Sequence, residues 1–381
     1  MKNFPLFKVK VDTRDVLIRL EEVLNSGYLN EGKEVTQFKE KLSEIFNHKK
    51  VVLTNSCTSA LVMALKLSNV QEGDEVITTS MTCVATNAPI KFMGAKVVWA
   101  DINHLTGNID PQQVKRLITP KTKAVVCVHW AGNPCDIEEL EKICKENNIK
   151  LIQDAAHAFG STYKNKHVCH FGDYTCYSFQ AIKHITSGDG GALVCNNEND
   201  YKRASAMKWF GIDRDSAKDE KGEWKGQRWE IDVIEAGNKF HMNNITAAIG
   251  LSNLQCYDEV ISTHKKNAAL FDLELKKSSL VFPLKKENNA ESSSWVYTII
   301  LDEKIDRDKI LQLMNEKNVN AGLVHVPNHY YTCFNDSFVE LPETEKFSKQ
   351  QISLPCGWWL DENDVKYIAN LFLQLVEKNE L

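Results

Sequence analysis

Two short stretches of this 381-residue chain carry side chains that could do chemistry together. The first is Asp154-Ala155-Ala156-His157. The second runs from Ser178 to Gly191 as Ser-Phe-Gln-Ala-Ile-Lys-His-Ile-Thr-Ser-Gly-Asp-Gly-Gly, and holds Lys183 and His184 just ahead of flexible glycines. An amine, a carboxylate and small polar groups are what pyridoxal phosphate asks of a protein. The amine holds the cofactor as an imine, the acid keeps its pyridine nitrogen protonated, and the polar groups anchor its phosphate.

The elements around these residues are suited to positioning them. Asp154 closes the run Lys150-Leu151-Ile152-Gln153, which reads as a buried parallel strand, and the open end of such a strand is where α/β folds place ligands. A carboxylate buried there is costly alone and stable against a ring N–H. Lys183 follows a second short strand at 174–179, and partial loss of water would make its amine a nucleophile near neutral pH. Ser56, Cys57 and Thr58 stand ahead of the apolar helical run at 60–65, whose first-turn N–H groups could meet a phosphate dianion. An ordinary N-cap explains Ser56 and Thr58 equally well. A lone aspartate at a strand end is usually a cap, and a lone lysine usually a solvated one. It is the two together, in this wording, that point to a cofactor.

With these motifs the chain resembles the DegT/DnrJ/EryC1/StrS sugar aminotransferases, which are fold-type I pyridoxal phosphate enzymes. The resemblance runs from the 26–32 segment through Asn55-Ser56-Cys57-Thr58-Ser59, Gly73-Asp74-Glu75, the Asp154 and Lys183 motifs and the 240–250 segment to Ser353-Leu354-Pro355. It implies that Lys183 is the Schiff-base lysine and that Asp154 partners the pyridine nitrogen. His157 would lie near the cofactor's phenolic oxygen, with Ser178 and Thr58, helped by the backbone around Ser56 and Cys57, at its phosphate. Two positions depart from the pattern. Cys83 stands where many relatives stack an aromatic residue on the cofactor ring, which implies weaker retention. Lys239, beside Asn238, stands where relatives often carry an asparagine that reaches the neighbouring subunit's phosphate.

The resemblance further implies a homodimer with shared sites, L-glutamate as amino donor, and a nucleotide-linked keto sugar as acceptor, most often a 4-keto-6-deoxyhexose. Tyr28, Asn30, His184, His329 and Tyr330 are the candidates for the sugar side. Relatives with histidine in place of the lysine are dehydratases, so Lys183 favours amino transfer. A dehydratase, a 3-keto sugar aminotransferase and a non-catalytic regulatory protein of the same fold are the alternatives.

Composition fits an ordinary globular protein, at 43% hydrophobic and 25% charged residues. A net charge of -5 argues against nucleic acid as a partner. No run of about eighteen apolar residues and no signal-peptide core is found, so a cytoplasmic protein away from the membrane is expected. The eleven cysteines are scattered without a Cys-x-x-Cys pair, which predicts reduced thiols and no zinc.

Short apolar strands at 76–79, 97–100, 124–129, 151–153, 175–179 and 192–195 alternate with helical stretches such as 137–146, the pattern of a mostly parallel α/β sheet flanked by helices. A polar stretch at 213–227 reads as a long loop. After about residue 255, a strand at 296–301 and a helix at 307–317 predict a smaller α+β domain. The division expected is therefore 1–255 for a large cofactor-binding domain and 256–381 for a small one.

Overall fold

A computed structural model describes residues 2–213, 231–233 and 235–379; most of the loop expected at 213–227 falls outside them. Seven strands form the main sheet: β1 (Val51–Thr54), β2 (Glu75–Thr79), β3 (Lys96–Ala100), β4 (Thr122–Val128), β5 (Lys150–Asp154), β6 (Tyr174–Ser178) and β7 (Gly191–Cys195). Their spatial order is β1-β7-β6-β5-β4-β2-β3. Only β7 runs against its neighbours, pairing antiparallel with β1 and β6, while the other adjacent pairs are parallel. The sheet is thus α/β and mostly parallel, as the apolar runs predict.

These strands are apolar throughout because helices cover both faces. Side chains alternate between the two: Val125, Cys127 and Leu151 join a core with Phe38, Phe46 and Phe179, whereas Ala124, Val126 and Ile152 join another with Leu61, Met63 and Trp99. The expected helix at 137–146 is Ile137–Glu146, capped by Asp136, whose carboxylate accepts from the Glu139 N–H.

A second sheet of β8 (Val281–Pro283), β9 (Tyr297–Leu301) and β10 (Gln351–Leu354) is antiparallel, in that order. With helices Tyr257–Leu275 and Glu362–Lys378 it encloses a separate core of Phe271, Ile299, Leu354 and Phe372. Phe4, from the opposite end of the chain, is buried in this core, and its backbone bonds both Asn318 and Asn320 at 2.9 Å. A further cluster of Met81, Trp130, Trp295, Ile300 and Phe347 joins the two sheets' surroundings. Among the described residues no helix is long and apolar enough to cross a membrane.

Candidate active site

Strand register gathers the chemistry at one edge of the main sheet. Asp154 ends β5 opposite Val128 of β4 and Cys176 of β6, and Ser178 ends β6 opposite Gly191, which begins β7. Gly191 lies hard against the start of helix Cys57–Leu67: a Cβ there would sit 2.5 Å from the Cys57 nitrogen. The absent side chain lets the helix start approach the strand ends. In front of them opens a cavity of 260 Å³. Ser56, Cys57, Thr58, Cys83, Asp154, His157, Ser178 and Lys183 all line it.

Asp154 is buried, and burial pushes its carboxyl pKa up. Two donors oppose that: the Thr86 hydroxyl at 2.7 Å from Oδ2 and the Ala156 N–H at 3.0 Å from Oδ1, with Lys183's charge adding to them. Thr86 is itself held by the Thr82 hydroxyl at 2.9 Å. The carboxylate is therefore braced in place with lone pairs still open to the cavity.

Lys183 is partly buried, and loss of water lowers its amine to about 8, against the pull of Asp154, Cys57 and Cys83. Its Nζ lies 3.9 Å from the ring centre of Trp295. His157 is buried and kept neutral, its pKa driven well down by burial and then by the charge of Lys183. It stacks on Trp295 at 4.1 Å and on His325 at 5.3 Å, and its Nδ1 has no hydrogen-bond partner among the described residues.

At the helix start Ser56 is the N-cap, its Oγ accepting from the Ser59 N–H at 3.1 Å. Capping takes the Ser59 donor and leaves the N–H groups of Cys57 and Thr58, which have no acceptor inside a helix, beside the cavity. The helix start that forms the cap thus also presents N–H groups suited to an anion. Ser178 accepts from the Gln180 N–H at 3.3 Å and retains its own hydroxyl hydrogen to donate.

These groups fit pyridoxal phosphate: a braced carboxylate for a ring N–H, an amine with lowered pKa, an unpartnered imidazole nitrogen, and helix N–H groups with a serine for phosphate. No group of described residues is arranged to hold a metal ion.

The other expected residues lie elsewhere. His184, although next to Lys183, is turned inward, bonding the Ser293 carbonyl at 3.1 Å and packing on His264. His329 is buried against the Ser80 hydroxyl at 2.6 Å, and Tyr330 beside it is exposed. Tyr28 is exposed, and Asn30 bonds His241 at 2.7 Å. Asn238 and Lys239 are exposed outside this cavity, with Lys239 near the Trp209 ring. Sequence reasoning missed Phe7, Thr82, Thr86, Gln180, Trp295 and His325 in the lining. Of these only Gln180 had a local signal, three residues before the lysine.

Comparison with known proteins agrees with the geometry. The model of the DegT/DnrJ/EryC1/StrS aminotransferase family matches residues 11–373. The UDP-4-amino-4,6-dideoxy-N-acetyl-beta-L-altrosamine transaminase of Helicobacter pylori is 32% identical over 383 residues, 99% of each chain. The crystal structure of AtS13 from Actinomadura melliaura superposes with a TM-score of 0.91 at 34% identity, covering 98% of this chain and 99% of that one. The putative sugar aminotransferase Spr1654 of Streptococcus pneumoniae, solved in a PLP form and a PMP form, superposes with TM-scores of 0.89 and 0.90 at 26% and 27% identity, over 99% of this chain and 99% and 100% of those.

Proposed function

We propose, for a chain that belongs to the DegT/DnrJ/EryC1/StrS aminotransferase family, that it moves an amino group from L-glutamate to a nucleotide-linked 4-keto-6-deoxyhexose. The family's enzymes are sugar aminotransferases that depend on pyridoxal phosphate, and that class and cofactor hold for this chain. Support for the sugar comes from the Helicobacter pylori relative, whose name specifies a UDP-linked sugar aminated at C4 and deoxygenated at C6. Glutamate as donor follows from the resemblance of the site motifs.

The observation that carries the reading is Lys183 and Asp154 on one cavity with a helix start beside them. When bound, the cofactor supplies an electron sink for the carbon that exchanges its amine. The protein's residues do the rest. The Thr86 hydroxyl and the Ala156 N–H oppose the burial that raises the Asp154 pKa, so that its charge would hold a proton on the pyridine nitrogen. An amine at about 8 rather than 10.5 raises the fraction of Lys183 uncharged at pH 7 about 300-fold. That neutral Nζ would serve as the nucleophile that holds the cofactor and, when released from it, as the base that carries the proton at the carbon bearing the transferred nitrogen. His157, kept neutral, offers a hydrogen bond at the ring's edge. Ser178, Thr58 and the Cys57 and Thr58 N–H groups would hold the phosphate.

The sugar then enters over Lys183. In a homodimer with shared sites, Asn238 and Lys239 serve the partner's cavity, which accounts for their position outside their own. Tyr28 is exposed likewise, and Asn30 bonds His241, two residues beyond Lys239. Of the alternatives, a dehydratase is disfavoured by the lysine, and a non-catalytic protein by the intact and braced Asp154.

The test is amino transfer by cofactor-loaded protein from L-glutamate to a panel of UDP-, dTDP- and GDP-linked 4-keto-6-deoxy and 3-keto-6-deoxy sugars, read by mass spectrometry. One amino sugar, absent with Lys183→Ala, is the expected result. Water loss without amination would establish the dehydratase instead.

A further inference from the structure

Four rings are linked by three near-parallel contacts along the wall of the cavity. Phe7 lies 4.8 Å from Trp295 at 23°, Trp295 lies 4.1 Å from His157 at 19°, and His157 lies 5.3 Å from His325 at 12°. All four line the cavity, yet they come from four distant parts of the chain. Trp295 is the best anchored of them. It is buried, its indole N–H donates to the Ile182 carbonyl at 2.8 Å, and its backbone N–H donates to Ala131 at 2.9 Å. The first of these bonds ties the indole to the residue before Lys183.

Phe7 is presented by an N-terminal strap fastened on either side. The Trp359 indole donates to the Pro5 carbonyl and the Trp358 indole to the Lys8 carbonyl, each at 3.1 Å. Lys183 Nζ sits 3.9 Å from the centre of the Trp295 ring. At that distance the ring's negative face attracts an ammonium, and most strongly where water is excluded.

We propose that Trp295 is the positioning residue for Lys183: its indole receives the ε-ammonium whenever the amine is not bonded to the cofactor, and the strap's Phe7 holds the indole in plane for that contact. The inference rests on the proposed role of Lys183. A lysine displaced during amino transfer must stay near the reacting carbon with only one tether, its own stem, which has four rotatable bonds to the amine. The indole supplies the second point. It favours the charged form, opposing the loss of water that lowers the amine's pKa. The ionisable groups facing Nζ are Asp154, Cys57 and Cys83, which favour its charge, and His157, His325 and His184, whose pKa values burial lowers first and the charge of Lys183 lowers further.

The test is the pH dependence of Lys183 acetylation in full-length protein stripped of cofactor, followed by mass spectrometry against the other lysines. Trp295→Leu keeps the wall apolar and removes the ring; Trp295→Phe keeps a ring and removes the indole N–H. The expected midpoint for Trp295→Leu falls by about half a unit to one unit from about 8, which raises labelling at pH 7 about 2.5- to 5.5-fold, while Trp295→Phe stays close to wild type. Phe7→Leu should move the midpoint in the same direction by less. Should Trp295→Leu not fold, Trp295→Met takes its place as a flexible apolar filler. A midpoint unmoved or raised in the ring-less variant overturns the proposal, and so does a Trp295→Phe midpoint that falls as far as that of Trp295→Leu, since the indole N–H would then carry the effect. The readout needs no bound cofactor, so a failure here is separate from any failure of the aminotransferase reading.

Discussion

Thr86→Val would remove one hydroxyl at nearly constant volume and leave Asp154 with a single donor. Thr86 is 1% exposed and Asp154 is 4% exposed, so water does not readily replace the lost 2.7 Å bond. A hydrogen bond to a charged group is worth about 1.5–3 kcal/mol, which corresponds to about one to two units of pKa. The direction is upward: burial already raises this carboxyl, and the Thr86 hydroxyl is the largest of the groups opposing it. A larger share of Asp154 would then be protonated at neutral pH, with nothing to hold the pyridine proton. If the whole loss falls on cofactor binding, affinity weakens about 10- to 100-fold. The assay is a spectroscopic titration of cofactor into stripped protein between pH 6 and 9. Because raising the pH re-ionises Asp154, the deficit should shrink toward pH 9. Binding within twofold of wild type at every pH would refute the claim that Thr86 keeps this carboxylate charged.

Other perturbations separate the remaining parts of the site. For Lys183→Met in cofactor-free protein, the folded amine titrates near 8 and an unfolded one near 10.5, so the unfolded chain binds the extra proton between those values. Wild-type stability therefore rises with pH across that window, and the variant's gain in melting temperature should be largest below pH 8 and fade by pH 10.5; a gain independent of pH contradicts this. Ser56→Ala removes a helix cap and should cost about 1 kcal/mol in denaturant unfolding, whereas Thr58→Ala should leave stability nearly unchanged and weaken cofactor binding. Equal effects of both on stability, with none on binding, would leave the helix start as a cap alone. Gly191→Ala places a methyl group 2.5 Å from the Cys57 backbone and should cost about 1–3 kcal/mol together with cofactor retention, since the helix start must retreat from the strand ends; unchanged melting and binding would oppose that placement.

The strands were legible wherever an apolar run was bounded by polar turns. β2 through β7 were each read within one or two residues, and Asp154 and Lys183 could be placed because they follow two of these runs directly. β1 was not read: four residues between Lys50 and the Asn55-Ser56 cap look like the approach to a helix, and only pairing with β7 makes them a strand. The sequence motifs found the side chains that touch the cavity from β5, β6 and the first helix turn. They missed Thr86, which reads as a small polar residue of an ordinary helix, because its role exists only where that helix crosses the end of β5. Trp295, His325 and Phe7 lie more than a hundred residues from Lys183 and arrive by packing, which leaves no local pattern. His184 shows the converse. Adjacent to Lys183 in sequence, it was expected at the sugar, yet its side chain is turned away to Ser293.

The account rests most directly on the identity of the amine that holds the cofactor. Borohydride reduction of the loaded protein, followed by peptide mapping, fixes the cofactor on whichever lysine carries it. The account predicts the label on Lys183 in the peptide between Ser178 and Gly191, with loss of the visible absorbance and no label in Lys183→Ala. A label on any other lysine, or an undiminished label in that variant, would contradict it.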